Sequence, residues 1–141
     1  MSNEKLEQLM TNLTDSQLSD GANLSIEMFD GENAVACITV EDRDEFPIYM
    51  TVDEGQILCI SYLFGDKQVA QDKRAQLAEG MLLMNVSIPL SAFSKIGSQY
   101  IMFGALSPQS STDELLNEIE MLSDNVLEAI DALADYLTEA A

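Results

Sequence analysis

The chain has no histidine, only two cysteines, and six basic residues against 25 acidic ones. Each shortage closes off a class of chemistry. Without His there is no Ser-His-Asp or Cys-His nucleophile pair, no ordinary general base near neutral pH and no His-containing zinc site. Cys37 and Cys59 stand alone in apolar runs, with no C-x-x-C spacing and no nearby cation to lower a thiol pKa, so both read as buried small hydrophobes. Neither G-x-G-x-x-G nor G-x-x-x-x-G-K-[ST] is present, which removes the usual phosphate cradles. No apolar run approaches the ~18 residues that cross a bilayer, and the opening MetSerAsnGluLys has no apolar signal core. Direct membrane insertion is therefore not expected, and the chain reads as cytoplasmic.

The scarcity of cations leaves a formal net charge of −19 and a pI near 4.1. Phosphate backbones and anionic bilayers repel such a chain, so nucleic acid is excluded as a partner and a basic protein segment is favoured. With 141 residues and 47% hydrophobic content this is not a disordered acidic tail, and one domain spanning 1–141 is expected.

Periodicity divides that domain. Leu6, Leu9, Met10 and Leu13 fall on one helical face, which predicts an N-terminal helix at about 3–18 with Gly21 beyond its exit. A sheet and a middle helix follow over about 23–106. Leu24, Ile26 and Met28 alternate with polar residues, AspGlyGluAsn at 30–33 turns the chain, and a second strand covers 34–41. Ile48, Met50 and Val52 alternate in a third strand, and AspGluGlyGln at 53–56 leads to a fourth at 57–64 that is apolar on both faces and so central. The period then lengthens: Ala70, Leu77, Met81 and Met84 line a helix, with Arg74 on the same side. Its last turn, Met81-Leu82-Leu83-Met84, is apolar all round, which fits either deeper burial or a subunit interface; Met81, Leu82 and Leu83 are the candidate contacts of a homodimer. ValSerIleProLeu at 86–90 and GlnTyrIleMetPheGlyAlaLeu at 99–106 read as two strands around a loop at 91–97.

The C-terminal helix, about 112–138, opens with a Ser111-x-x-Glu114 capping box after Pro108 and carries an apolar stripe from Leu115 through Ile119, Leu122, Val126, Ile130 and Leu133 to Leu137. Its other face holds Glu120, Asp124, Glu128, Asp131, Asp135 and Glu139, and no Lys or Arg follows Lys95. Like charges four residues apart destabilise a helix by roughly 0.2–0.5 kcal/mol per pair. Two accounts fit this face: a solvated surface, or an acidic docking strip for a basic segment.

The elements therefore predict an α+β fold in the order α-β-β-β-β-α-β-β-α, with an antiparallel sheet flanked by helices. The function expected is a non-catalytic protein-binding module without a cofactor. The alternative is a carboxylate-only enzyme or a divalent-cation sensor, for which Asp42, Asp44 and Glu45 are the candidate ligands and Ser94-Lys95 the candidate nucleophile pair.

This order resembles the type III secretion chaperone fold, which implies a homodimer formed by the middle helix and its neighbouring strands, with a partner chain wrapped around it. A fold with four strands before the middle helix exceeds the three that this resemblance implies, so either the third is bent at AspGluGly or the sheet is larger. A closer likeness lies in ProIleTyrMetThrValAspGluGly at 47–55, IleSerTyrLeuPheGly at 60–65, ProLeuSerAlaPheSerLysIleGly at 89–97, TyrIleMetPheGlyAlaLeuSer at 100–107 and GluIleGluMetLeuSerAspAsn at 118–125. These segments resemble the YjfI-like family of uncharacterised bacterial proteins. That resemblance implies no catalytic motif, and a chaperone-like or adaptor role in envelope stress, since members are encoded beside relatives of the membrane-stress protein PspA.

Overall fold

The computed structural model describes residues 2–29 and 31–138. Helix α1, Ser2–Leu13, buries Leu6, Leu9, Met10 and Leu13. It ends earlier than the spacing predicts because Asp15 takes a left-handed conformation (φ 71°), and Leu18 reaches the core from the following loop instead. Strands β1 (Leu24–Phe29), β2 (Val35–Val40), β3 (Ile48–Val52), β4 (Ile57–Gly65), β5 (Ala92–Ile96) and β6 (Gln99–Leu106) form one antiparallel sheet in the order β1-β2-β3-β4-β6-β5. The third and fourth strands are separate and paired, so the sheet is larger rather than one strand bent. As expected, β4 lies inside it, between β3 and β6.

Alternation sorts each strand into two faces. On the inner face Met28, Ala36, Met50, Cys59 and Gly104 lie in one cross-strand row. Helix α1 covers β1, β2 and β3, while helix α3 (Thr112–Leu133) covers β4 and β6 and touches α1. Along α3, Leu115, Ile119, Leu122, Val126 and Leu133 are fully buried, each adding about 1.5–3 kcal/mol of transfer free energy. The capping box forms as predicted: Ser111 Oγ accepts from the Glu114 amide at 3.1 Å, and Glu114 Oε1 accepts from the Ser111 amide at 3.0 Å. Beyond Leu133 the chain makes a 3-10 turn at Ala134–Tyr136, then bridges Leu137 to Val69 instead of continuing the helix.

Helix α2, Arg74–Asn85, packs beside β5, with Leu77 and Met81 buried. Ala70 precedes this helix in extended backbone. The segment ValSerIleProLeu is a connection, not a strand: Pro89 offers no amide and Leu90 has φ 65°, outside the extended region. Asn125 of α3 holds it, donating from Nδ2 to the Pro89 carbonyl at 2.9 Å and to Ser91 Oγ at 3.0 Å. The expected loop at 91–97 is strand β5, joined to β6 by a two-residue turn in which Gly97 takes φ 58°.

Candidate binding surfaces

All three helices lie against the inner face of the sheet or its β5 edge, so no described element covers the outer face. An unbroken cross-strand row runs across that face through Glu27, Cys37, Tyr49, Ile60, Phe103 and Ala92. Beside it lie Phe29 with Val35, and Leu58 with Ala105; on the other side Tyr62 pairs with Ile101. Phe29 and Tyr62 are exposed, and Tyr49 and Tyr62 meet edge to face with ring centroids 5.7 Å apart. Burial, and then the neighbouring Cys37, raise the Tyr49 phenol above its ordinary pKa. Among the described strand residues on this face only Glu27 is charged. Sequence reading recognised that β4 is apolar on both sides but did not assemble these residues into a surface.

The last turn of α2 divides its four apolar residues. Met81 is buried in the monomer, Met84 is half-buried, and Leu82 and Leu83 are 70% and 72% exposed. Val86, 94% exposed, and Leu90 extend the apolar surface into the connection. A cleft of about 300 Å³ opens beside it, lined in part by Met81, Phe93, Lys95 and Tyr100. Asn85 Oδ1 accepts the Phe93 amide at 2.7 Å and so caps part of the free edge of β5.

The acidic face of α3 is partly tied down. Glu120 accepts from the Ser19 amide at 2.7 Å and from Ser19 Oγ at 2.6 Å, and Asp124 pairs with Arg43 at 2.7 Å. Glu128 and Asp131 are exposed, Asp135 lies past the α-helix in the 3-10 turn, and Glu139 falls outside the described residues. Contacts 101 and 81 residues apart in sequence thus supply the donors and the cation that the local pattern lacks.

A carboxylate inside the apolar stripe of α3 is the more unusual one. Glu118 is 2% exposed, its Oε2 has no hydrogen-bond partner, and it packs on Gly104 of β6, where a Cβ would collide with the carboxylate. The Leu90 carbonyl would lie 3.1 Å from that Cβ. Burial pushes the Glu118 carboxyl up to about 7, and its proximity adds to the burial that raises the Cys59 thiol. A signal was available: position 118 is three residues after Leu115 and four before Leu122, within the apolar stripe.

The candidates for chemistry do not converge. Ser94 and Lys95 are successive strand residues and point to opposite faces; the Lys95 ammonium instead meets Asp66 Oδ1 at 2.9 Å, and their hydrogen bond lowers the Asp66 carboxyl pKa and raises that of Lys95. Asp42, Asp44 and Glu45 do not gather: among the described residues no three carboxylate or thiol groups are placed to hold a metal ion. Nor is any described helix long and apolar enough to cross a membrane.

This geometry defines a class, the two-layer α+β proteins whose antiparallel sheet is covered by helices on one face only. Within it, the chain belongs to the DUF2170 family, described as an uncharacterized protein conserved in bacteria, whose model matches residues 3–137. No curated protein matches it significantly in sequence.

Proposed function

We propose that the protein is a non-catalytic protein-binding module that engages its partner through the outer face of the sheet. One observation carries this reading: the row Cys37-Tyr49-Ile60-Phe103 is half-buried by its own neighbours, with Phe29 and Tyr62 exposed beside it, and no described helix lies over it. Large contiguous apolar patches on a folded chain mark interaction sites. A chaperone-like or adaptor role in bacterial envelope stress is the cellular setting we propose, on the resemblance to the YjfI-like family. The test is capture from bacterial lysate with wild-type bait and with Ile60→Lys, both verified as folded by circular dichroism. A partner held by the wild type and lost from the variant is the expected result; identical captures refute the reading.

We further propose that the chain forms a homodimer around Leu82 and Leu83, supported by their exposure at the end of α2. Light scattering is expected to return twice the 15.5 kDa chain mass, with Leu82→Asp halving it while the fold survives. A wild-type mass of one chain at micromolar protein contradicts the dimer.

A further inference from the structure

The outer face of the sheet also indicates what kind of element would cover it. Five strand spacings give it a width of about 24 Å, and five residues of strand give a length of about 17 Å, an area of about 400 Å². A second copy laid face to face would bury about half of the roughly 800 Å² per partner of a stable interface, and a single helix no more, so area bounds the size of the occupant and charge has to choose it. An α-helix of about 16 residues, some 24 Å long and about 10 Å wide, fits within the same area.

Charge separates these occupants more sharply. Glu27 ends the apolar row on β1, and the turns at one end of the sheet carry Glu32 between β1 and β2, and Asp53 and Glu54 between β3 and β4. Asp53 is used locally, accepting from the Gly55 and Gln56 amides. Glu27, Glu32 and Glu54 are exposed and pair with no cation among the described residues. Between Lys5 and Lys67 the only basic residue is Arg43, and it is committed to Ser123 and Asp124 on the helical side. A second copy face to face would offer these carboxylates no cation, since Glu27 is the one charged residue among the described strand residues of the face. A partner with an apolar stripe and cations on its flanks meets both features at once.

We infer that the outer face is a docking site for a cationic amphipathic helix, whose apolar stripe lies across Tyr49, Ile60 and Phe103 and whose Lys or Arg residues meet Glu27, Glu32 and Glu54. The inference rests on the binding function proposed above and adds the chemistry of the partner. It assigns recognition to the sheet, leaving the acidic face of α3 as solvated surface.

The chain contains no Trp, so a single Trp in a synthetic peptide of about 16 residues, with a Leu stripe and Lys flanks, reports binding without background. The peptide is expected to bind the full-length protein with an affinity that falls as salt rises. Ile60→Lys should abolish binding; should that variant not fold, Tyr62→Lys on the exposed part of the face replaces it. The combined Glu27→Gln, Glu32→Gln and Glu54→Gln variant should bind about tenfold more weakly. The helix-face variant Glu128→Gln, Asp131→Asn and Asp135→Asn should bind as the wild type does, and the Tyr49 and Tyr62 ring resonances should move with the wild type. Equal losses in the sheet-face and helix-face carboxylate variants, or no loss with Ile60→Lys, overturn the inference by showing adhesion to general negative charge. If a peptide with Gln in place of Lys binds equally well and is lost with Ile60→Lys, the cationic partner is wrong while the binding face stands. If neither peptide binds and lysate capture ignores Ile60→Lys, both proposals fail. Self-association of the wild type that Ile60→Lys abolishes assigns the face to a second copy and also overturns the inference.

Discussion

Replacing Glu118 with Gln is expected to stabilise the protein above neutral pH and to matter least in acid. The carboxyl is 2% exposed, and its Oε2 rests against Gly104 without a partner. Burial raises its pKa from the ordinary 4.5 to about 7, so across this interval the folded chain holds a proton that the unfolded chain has released. Stability is therefore full below pH 4.5, falls as pH rises through the interval, and is lowest above 7. At 1.36 kcal/mol per pKa unit the loss is about 3 kcal/mol, a large fraction of a typical net stability of roughly 5–15 kcal/mol. Gln is neutral in both states and removes this slope. Urea unfolding followed by circular dichroism from about pH 4.5 to about pH 8.5 should show the stability difference, variant minus wild type, growing by about 3 kcal/mol. Self-repulsion among the other carboxylates is common to both proteins and cancels in that difference. So do Asp66 and Glu114, whose carboxyls are held low, chiefly by hydrogen bonds from Lys95 and from the Ser111 amide, and which lose stability in the opposite direction, as pH falls. A difference that does not change with pH would refute the argument that Glu118 is buried in its proton-bearing form.

Two further substitutions test the same helix. Gly104→Ala places a Cβ against the Glu118 carboxyl and the Leu90 carbonyl, and should cost about 1–3 kcal/mol in urea unfolding. In a Glu118→Ala background most of that cost should disappear, and strictly additive losses would show that the two groups do not compete for space. Ser111→Ala removes the acceptor for the Glu114 amide and should cost about 1 kcal/mol in urea unfolding, while the Ser111 amide that chiefly holds the Glu114 carboxyl low stays in place; unchanged stability would mean that the Ser111 side chain does not cap the helix.

The α+β class and the order of the elements could be read from periodicity because each element carries one dominant repeat. Helix α3 is the clearest case: the Ser111 cap fixes its start and the Leu115-to-Leu133 stripe its buried face. Its end was less legible, since no glycine marks it and Leu137 keeps the apolar spacing while pairing with Val69, far away in sequence. The same limit applies at Leu18, which is buried from a loop yet extends the apparent helix. At 86–90 the alternation of Val86, Ile88 and Leu90 looks like a strand, but Pro89, the left-handed Leu90 and the hold of Asn125 make it a strap. The acidic helix face was legible as charge, but not the partners Ser19 and Arg43, which only the tertiary fold brings to Glu120 and Asp124.

The outer sheet face shows why function was harder to read than fold. A strand with apolar residues at both parities, as in Leu58, Ile60 and Tyr62 alternating with Ile57 and Cys59, requires two covers. Helices α1 and α3 are spent on the inner face and α2 on the β5 end, so the fold supplies one. Sequence periodicity registers that β4 is apolar on both sides, but it contains no count of the layers available to cover it. Only the topology makes that count, and the face it leaves open combines one apolar row with carboxylates at its margin. A solvated outer face would gain nothing from Tyr49, Ile60 and Phe103 in register across three neighbouring strands, whereas a partner stripe laid across those strands would use all three.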